Sequence, residues 1–445
     1  MTPATGLPQE KLQKAERIAP HPPETADLLR LATAGSVDDG KSTLVGRLLH
    51  DLKAVMPDQL AAVERASRDR GLTSADLALL TDGLRAEREQ GITIDVAYRY
   101  FASPRRRFIL ADTPGHVQYT RNMVTGASTA GLAAILIDAR YGVVEQTRRH
   151  LAIAALLRVP EMVFLVNKMD LVGFDESVFA GIAAELQGHA RRLGVEAVSA
   201  IPICALRGDN VVECSDSMDW YQGPTLLEHL EQIPVAADPS NEPARFPVQY
   251  VIRCAEQDYR GYAGQLVSGV LRTGDKVVVL PSDQRSTIAG IDVGGTAADT
   301  AFAPQSVVVR LKDDIDVGRG DLIASTASAP ATTRDVSAMV CHLADRPLRV
   351  GDRVLLRHTT RTVKAIVTEI VHRLDITTLQ TCPHPRELRA NDIARLLLRT
   401  SAPIVADDYA VNRHSGAFLL VDEPTGDTLT AGMIGRSLGE TGSAL

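Results

Sequence analysis

A glycine-rich stretch near the amino terminus has the residue types and the spacing of a phosphate-binding loop. Gly35 and Gly40 enclose four residues and are followed by Lys41 and Ser42, which gives the pattern Gly-x-x-x-x-Gly-Lys-Ser. In such a loop the backbone N–H groups surround phosphates, the lysine reaches the β- and γ-phosphates, and the serine hydroxyl can bind Mg²⁺. The pattern therefore predicts that Lys41 neutralises phosphate charge and that Ser42 is a magnesium ligand.

A second pattern, Asp-x-x-Gly, begins at Asp112 and is followed directly by His116. Its carboxylate can hold Mg²⁺ through water, and the N–H of Gly115 can detect a γ-phosphate. Thr93 lies between the first two motifs and is placed to close on Mg²⁺ only when the γ-phosphate is present. The predicted metal ligands are Ser42, Thr93 and, through water, Asp112.

Two further motifs favour GTP over ATP. In Asn167-Lys168-Met169-Asp170, the Asp170 carboxylate can accept from the N1 and N2 hydrogens of guanine, and adenine offers no such pair of donors. Asn167 would brace the loop, and the Lys168 stem would lie along the base. The later stretch at Cys204 is expected to place a backbone N–H on guanine O6. The predicted GTP-binding residues are Gly35, Ser36, Val37, Asp38, Asp39, Gly40, Lys41, Ser42, Thr43, Asp112, Thr113, Pro114, Gly115, His116, Asn167, Lys168, Met169, Asp170, Cys204, Ala205 and Leu206.

Regular elements must position these loops. An apolar run precedes three of the four motifs, and strands alternate with helices over residues 26–234, which predicts an α/β P-loop GTPase domain with a mostly parallel, doubly wound sheet. The stretch 233–247 carries four prolines and no periodicity, which predicts a linker at 235–246. Short β-rich runs separated by Gly/Asp turns then predict two small antiparallel β-barrels, at 247–330 and 331–445. Residues 1–25 are expected to be a flexible extension.

The composition limits the classes of protein to which the chain can belong. The 445 residues carry a net charge of -7, so no strong overall field favours nucleic acid. The five cysteines lie far apart without a Cys-x-x-Cys, which suggests neither a disulfide framework nor a zinc site. The longest apolar run, 131–137, is too short to cross a bilayer, so we expect no membrane association. We expect the protein to be located in the reducing environment of the cytoplasm.

For some other residues the sequence suggests a role only from their immediate neighbours in the chain. Asp38, inside the phosphate loop, could hold a monovalent cation or a backbone N–H. Arg105, Arg106 and Arg107 fit a polar hairpin tip better than an anion site. The histidines after residue 340 show no ligand spacing, and we expect them to be structural.

The motif set resembles the translation-factor superfamily of GTPases, typified by elongation factor Tu, in which a GTPase domain is followed by two β-barrels. The resemblance is carried by the phosphate loop, by Asp112 to His116, by residues 85–95 and by residues 220–227. Further stretches, at 81–85, 96–101 and 119–128, look like the GTPase subunit of bacterial heterodimeric sulfate adenylyltransferase. This likeness runs from about residue 31 to 435.

The second resemblance implies a partner and a coupled reaction. Members pair with a smaller catalytic subunit, as a heterodimer or a multimer of it, which makes adenosine 5'-phosphosulfate and pyrophosphate from ATP and sulfate. The GTPase subunit couples GTP hydrolysis to that step. By carry-over from the superfamily, His116 would orient the attacking water, and Lys41 would be the second catalytic residue. Because no second phosphate-binding loop follows before Leu445, we expect no kinase activity.

Two other functions share the same nucleotide motifs. One is a translation-type GTPase that carries an aminoacyl-tRNA or a release factor, and the other is a structural GTP-binding protein without turnover. The Asp38-Asp39 pair and residues 96–101 favour the sulfate-activating hypothesis over the first. The acidic balance disfavours tRNA only weakly.

Overall fold

The structure is a computed structural model that describes residues 27–69, 75–80, 95–234, 239–254, 259–435 and 438. The chain divides into two compact units, one with a mostly parallel sheet and one with antiparallel sheets. The predicted fold class is confirmed. The predicted extension 1–25 and Thr93 lie outside the described residues.

The first unit is built on a six-stranded sheet with the order β2-β3-β1-β4-β5-β6. Strand β2 runs antiparallel to β3, and all other neighbours are parallel. The six strands are Leu28–Gly35 (β1), Ala97–Ala102 (β2), Arg107–Asp112 (β3), Leu132–Asp138 (β4), Glu161–Asn167 (β5) and Val198–Pro202 (β6). The α-helices of the described chain are Lys41–Asp51 (α1), Pro57–Asp69 (α2), Thr120–Ala127 (α3), Glu145–Leu156 (α4), Glu176–Arg192 (α5) and Leu226–Gln232 (α6).

The core of this unit explains why the sheet forms. All seven residues of β4 are buried, as expected for a central parallel strand covered on both faces. Helix α1 buries Leu44, Val45 and Leu48 in the same core cluster, because these residues recur at helical spacing. Each such leucine stabilises the fold by ~2 kcal/mol. The packing holds α1, and with it the phosphate loop, firmly on the sheet.

The environment of Arg106 differs from the polar hairpin tip that the sequence predicted. Its side chain is buried, and Nη1 donates to the carbonyl oxygens of Leu230, at 2.9 Å, and Ile233, at 2.6 Å. These carbonyls lie at the carboxyl end of α6, where a helix lacks internal donors. Arg106 therefore caps α6 from the neighbouring hairpin, a tertiary role that its sequence neighbours did not indicate.

The second unit contains two antiparallel assemblies with separate cores. An eight-stranded sheet runs in the order β7-β16-β11-β12-β15-β9-β8, with β13 paired to β12, and β10 pairs with β14 beside it. Its strands are Arg245–Pro247 (β7), Tyr250–Cys254 (β8), Tyr259–Gln265 (β9), Val270–Arg272 (β10), Lys276–Leu280 (β11), Gln284–Val293 (β12), Thr296–Ala298 (β13), Thr300–Phe302 (β14), Ser306–Leu311 (β15) and Leu322–Ser325 (β16).

The second assembly contains a closed barrel. Strand β19 pairs with both β24 and β20, which closes the ring β19-β24-β25-β17-β23-β20. Its strands and their neighbours are Ala331–His342 (β17), Leu348–Arg349 (β18), Arg353–His358 (β19), Arg361–Asp375 (β20), Gln380–Pro383 (β21), Glu387–Leu388 (β22), Ile393–Ala406 (β23), Ala417–Val421 (β24) and Thr428–Ile434 (β25). His342 and His358 are buried, and they hydrogen-bond to the Thr430 hydroxyl and to the Ser415 carbonyl.

The predicted linker 235–246 overlaps this unit. Arg245–Pro247 is strand β7, which pairs antiparallel with β16, and the 3-10 helix Pro239–Asn241 precedes it. Proline tolerates the edge of a sheet, so the proline-rich composition concealed a short edge strand. In the part of the chain that the structure describes, no helix combines the length and the apolar character needed to span a membrane.

Candidate functional site

The predicted loops meet at one edge of the first sheet. Strands β1, β3 and β5 are parallel, and the three loops leave their carboxyl ends. Ligands of open α/β sheets bind at this edge. A cavity of about 500 Å³ opens there. Its lining residues are Val37, Asp38, Gly40, Lys41, Ser42, Thr43, Ala78, Gly115, His116, Arg140 and Lys168.

The phosphate loop wraps around its own lysine. Lys41 is buried, and its Nζ donates to the carbonyl oxygens of Gly35 and Ser36, both at 2.8 Å. Burial lowers the pKa of Lys41, while the charges of Asp112, Asp39 and Asp38 act to raise it. The ammonium is therefore held in place by two carbonyl groups of its own loop.

Helix α1 points its amino terminus into the same cavity. Its N-cap is Gly40, which has a φ of 94° and no side chain to bond the first N–H groups of the helix. These donors and the helix dipole favour an anion. A Cβ at Gly40 would lie 2.4 Å from the Asn167 side chain, and a Cβ at Gly115 would lie 2.5 Å from Lys41 Nζ. Both positions therefore need glycine because the three loops approach one another so closely.

The two aspartates of the phosphate loop have different environments. Asp39, not Asp38, holds a backbone N–H: its Oδ2 accepts from Ser36 N at 2.5 Å, and the residue is buried. Burial raises the pKa of Asp39 to about 6, against the lowering effects of the Lys41 charge and the Ser36 N–H. Asp38 is exposed with a φ of 65°, at the tip of the loop.

The Asp-x-x-Gly loop is anchored to β1 and to α4. Asp112 Oδ1 accepts from the Thr33 hydroxyl at 2.9 Å, and the Thr113 hydroxyl donates to the Thr33 carbonyl at 2.5 Å. The carbonyl of Gly115 accepts from the Gln146 amide at 3.2 Å. His116 follows, half-buried, at the wall of the cavity. A histidine is thus placed beside the phosphate loop.

Asn167 joins its own loop to the phosphate loop and to the loop at Ala205, which is predicted to contact guanine. Its Nδ2 donates to the Asp39 carbonyl at 2.7 Å, and its Oδ1 accepts from Ala205 N at 2.9 Å. The Ala205 N–H is thus bonded within the protein, although this loop was predicted to contact guanine O6. Met169, another predicted site residue, has no exposed surface. Its side chain packs in the core and does not reach the cavity.

The Cys204 thiol lies next to the predicted guanine-binding carboxylate. Its Sγ donates to Asp170 Oδ1 at 3.2 Å. Burial raises the pKa of Cys204 to about 12, and the Asp170 charge acts in the same direction. The thiol is therefore neutral and remains a donor, which orients the Asp170 carboxylate.

Four residues of the site were missed by the motifs: Arg47, Asp138, Arg140 and Gln146. Arg47, on α1, donates from Nε to the Ala205 carbonyl at 3.2 Å and from Nη2 to the Leu206 carbonyl at 2.5 Å. Asp138 is the last residue of β4, the strand between β1 and β5, and Arg140 follows two positions later. Asp138 and Arg140 could have been predicted from the sequence, because ligand sites of open α/β sheets lie at the carboxyl ends of central parallel strands.

The donors fit Mg²⁺ bound together with a nucleotide. Among the described residues no cluster of three or more His, Cys, Asp or Glu side chains could hold a metal. Magnesium usually takes one or two carboxylates plus phosphates and water. The cavity offers the Ser42 hydroxyl, and the Asp112 carboxylate is close enough to Lys41 to affect its pKa. The Ser42 hydroxyl and the Asp112 carboxylate therefore suit the magnesium ligands predicted at these two positions.

Comparisons with known proteins agree with this geometry. Residues 26–233 match the family described as the elongation factor Tu GTP binding domain, and residues 335–435 match the GTP-eEF1A C-terminal domain-like family. The bifunctional enzyme CysN/CysC of Mycobacterium tuberculosis is 54% identical over 415 residues, which cover 92% of this chain and 68% of that protein.

Two shorter relatives carry a single name. Sulfate adenylyltransferase subunit 1 of Cellvibrio japonicus is 48% identical over 417 residues, covering 93% of this chain and 88% of that protein. The protein of the same name from Bacteroides fragilis is 47% identical over 413 residues, covering 92% and 86%. The similarity thus extends through both units of the chain.

Proposed function

This chain belongs to the family of sulfate adenylyltransferase subunit 1, and from that premise we propose that it hydrolyses GTP to drive the adenylylation of sulfate by a partner subunit. The observation that carries the proposal is the meeting of the phosphate loop, the Asp-x-x-Gly loop and the Asn-Lys-x-Asp loop at one edge of the sheet. The overall reactions are GTP and water to GDP and phosphate, and ATP and sulfate to adenosine 5'-phosphosulfate and pyrophosphate.

Binding of GTP follows from the charges and donors of the cavity. Lys41 would neutralise the β- and γ-phosphates, and the N–H groups at the start of α1 would surround them. Asp170, oriented by the Cys204 thiol, would accept from guanine N1 and N2. This carboxylate would reject adenine, because adenine presents no matching pair of donors.

Hydrolysis requires charge neutralisation and a positioned water. Mg²⁺, held by Ser42, Thr93 and, through water, Asp112, would add positive charge next to the phosphates when bound. His116 would orient the water from the wall of the cavity, next to Gly115, whose N–H would face the γ-phosphate. The Gln146 amide fixes the Gly115 carbonyl and so restrains the peptide that leads into His116.

The adenylyl transfer is assigned to the partner. The relatives are named as subunit 1, which implies at least one other subunit. We propose a smaller catalytic subunit that binds ATP and sulfate, in a heterodimer or a multimer of it. A translation-type GTPase remains the second candidate, but the names of the relatives described above give it less support.

Pyrophosphate release from ATP and sulfate tests the proposal. The chain is mixed with the smaller subunit, with and without GTP, and compared with Lys41→Ala and with the surface control Lys276→Ala. We expect GTP to increase the rate, Lys41→Ala to lower GTP hydrolysis at least ~10²-fold and abolish the increase, and Lys276→Ala to behave as the wild type. Full GTPase activity in Lys41→Ala, or GTP-dependent retention of aminoacyl-tRNA without any effect on pyrophosphate release, would refute the assignment.

A further inference from the structure

Arg140 is a cationic side chain at the nucleotide cavity that none of the sequence motifs includes. It lies two residues after β4, and β4 is parallel to both β1 and β5. The chain after β4 therefore emerges between the phosphate loop and the Asn167 loop. Arg140 lines the same cavity as Lys41, Ser42 and His116.

The guanidinium group is held by a buried carboxylate. Arg140 Nε donates to Asp138 Oδ1 at 3.0 Å and Nη2 donates to Oδ2 at 2.7 Å, so one edge of the planar group is occupied. The Tyr141 ring lies 4.9 Å from the guanidinium carbon. The geometry leaves the Nη1 edge directed away from Asp138. The Arg140 side chain is 37% exposed, so the group is positioned but accessible.

Asp138 has a second cationic partner besides Arg140. Lys168 Nζ lies 2.9 Å from Asp138 Oδ2 and also donates to the Asp38 carbonyl. Burial alone would raise the pKa of Asp138, but the hydrogen bonds from Arg140 and Lys168 prevail and lower it to about 2. One carboxylate thus faces two cations, and the group of three keeps a positive charge beside the tip of the phosphate loop.

We propose that Arg140 is a phosphate-contacting residue of the GTP site, an arginine supplied by the chain itself that neutralises charge as the bond to the γ-phosphorus breaks. The inference rests on the proposed GTPase activity. Water forms a bond to the γ-phosphorus, the bond to the β–γ bridging oxygen breaks, and the proton of the water passes to phosphate. Arg140 keeps its own proton and contributes charge and hydrogen bonds only.

Single-turnover hydrolysis of GTP by the full chain, alone and with the smaller subunit, tests this role. Arg140→Ala should slow hydrolysis by ~10²–10³-fold, and Arg140→Lys should be intermediate because lysine keeps the charge without the planar donor pair. The dissociation constant for GDP should change less than about threefold and the complex of GDP with aluminium fluoride should be lost, as expected for a contact made mainly in the transition state. Arg105→Ala is the matched control, because Arg105 is an exposed arginine of the same unit that pairs with Glu231.

A double variant separates a phosphate contact from a structural ion pair. If the loss in Arg140→Ala arose only because Asp138 lacked a counter-ion, Arg140→Ala with Asp138→Asn would recover the rate. We expect no recovery. Recovery, or an Arg140→Ala rate within about twofold of the wild type, would overturn the inference while leaving the GTPase activity in place. A wild-type chain that hydrolyses no GTP under either condition would instead refute the proposed function, and this role with it.

Discussion

Replacing Asp39 by asparagine should stabilise the nucleotide-free chain, because the phosphate loop holds this carboxylate in an unfavourable place. The residue is 6% exposed, and burial raises its pKa from 3.8 to about 6. At ~1.4 kcal/mol per pH unit, the difference corresponds to ~3 kcal/mol of lost stability above pH 6. Asparagine keeps an acceptor for the Ser36 N–H, but a neutral acceptor is weaker by ~1 kcal/mol. A net gain of ~2 kcal/mol at pH 8 follows.

The sign of the pH dependence comes from the raised pKa. Between pH 3.8 and about 6 the folded protein keeps the Asp39 proton and the unfolded chain has released it. The contribution of this group to stability therefore falls as the pH rises through that window, and it stays low above it. The advantage of Asp39→Asn over the wild type should consequently grow by ~1.4 kcal/mol between pH 5 and pH 8.

Trp220 gives an assay confined to the unit that contains Asp39. It is the single tryptophan of the chain, and its indole N–H donates to the Phe174 carbonyl at 2.9 Å. Urea unfolding of the nucleotide-free chain, followed by Trp220 fluorescence at pH 5 and pH 8, measures the two free energies of unfolding. Asp38→Asn is the control, since that neighbouring side chain is exposed. An unchanged pH dependence in Asp39→Asn, or an equal gain in Asp38→Asn, would show that burial of Asp39 is not the cause.

Two further substitutions separate nucleotide binding from folding. Arg47→Ala removes the donors to the Ala205 and Leu206 carbonyls, so the affinities for GTP and GDP should both fall roughly tenfold. The hydrolysis rate at saturating GTP should not change. Calorimetry measures the affinities and a turnover assay measures the rate, and a slower rate at unchanged affinity would contradict the positioning role of Arg47. Thr225→Ala breaks the capping box that Thr225 and Glu228 form at the start of α6. It should lower the stability measured by Trp220 by ~1 kcal/mol with GDP affinity intact, and a loss of affinity without a loss of stability would argue against a purely structural cap.

The loops of the candidate site could be predicted from the sequence because each depends on a local pattern. A glycine-rich turn, an apolar strand before it and a helix after it can all be recognised within about ten residues. The same reasoning placed the loops at one edge, since parallel strands end together. It also predicted two barrels from the alternation of short strands and turns, and the ring of the second assembly is closed in the structure.

The residues that escaped prediction depend on neighbours distant in sequence. Arg106 looks polar in its hairpin, yet it caps a helix more than 120 positions later. Asp38 and Asp39 are the same residue type, yet the structure leaves Asp38 exposed in a left-handed conformation and buries Asp39. Arg140 is an ordinary arginine until the sheet order places β4 between the two nucleotide loops. Side-chain roles of this kind follow from tertiary packing, which no local pattern carries.

Asn167 connects the loop that we propose to recognise the base with the loop that we propose to bind the phosphates. Its amide bonds the Asp39 carbonyl in the phosphate loop and the Ala205 N–H in the guanine loop. A Cβ at Gly40 would collide with this same amide, so the bond requires the close approach that glycine permits. Any shift of the guanine loop is therefore passed to the backbone beside Lys41 through two hydrogen bonds. If the proposed site is right, a nucleotide with the wrong base would lose more than the proposed contact at Asp170, because it would also fail to hold the two loops in the register that the phosphates need.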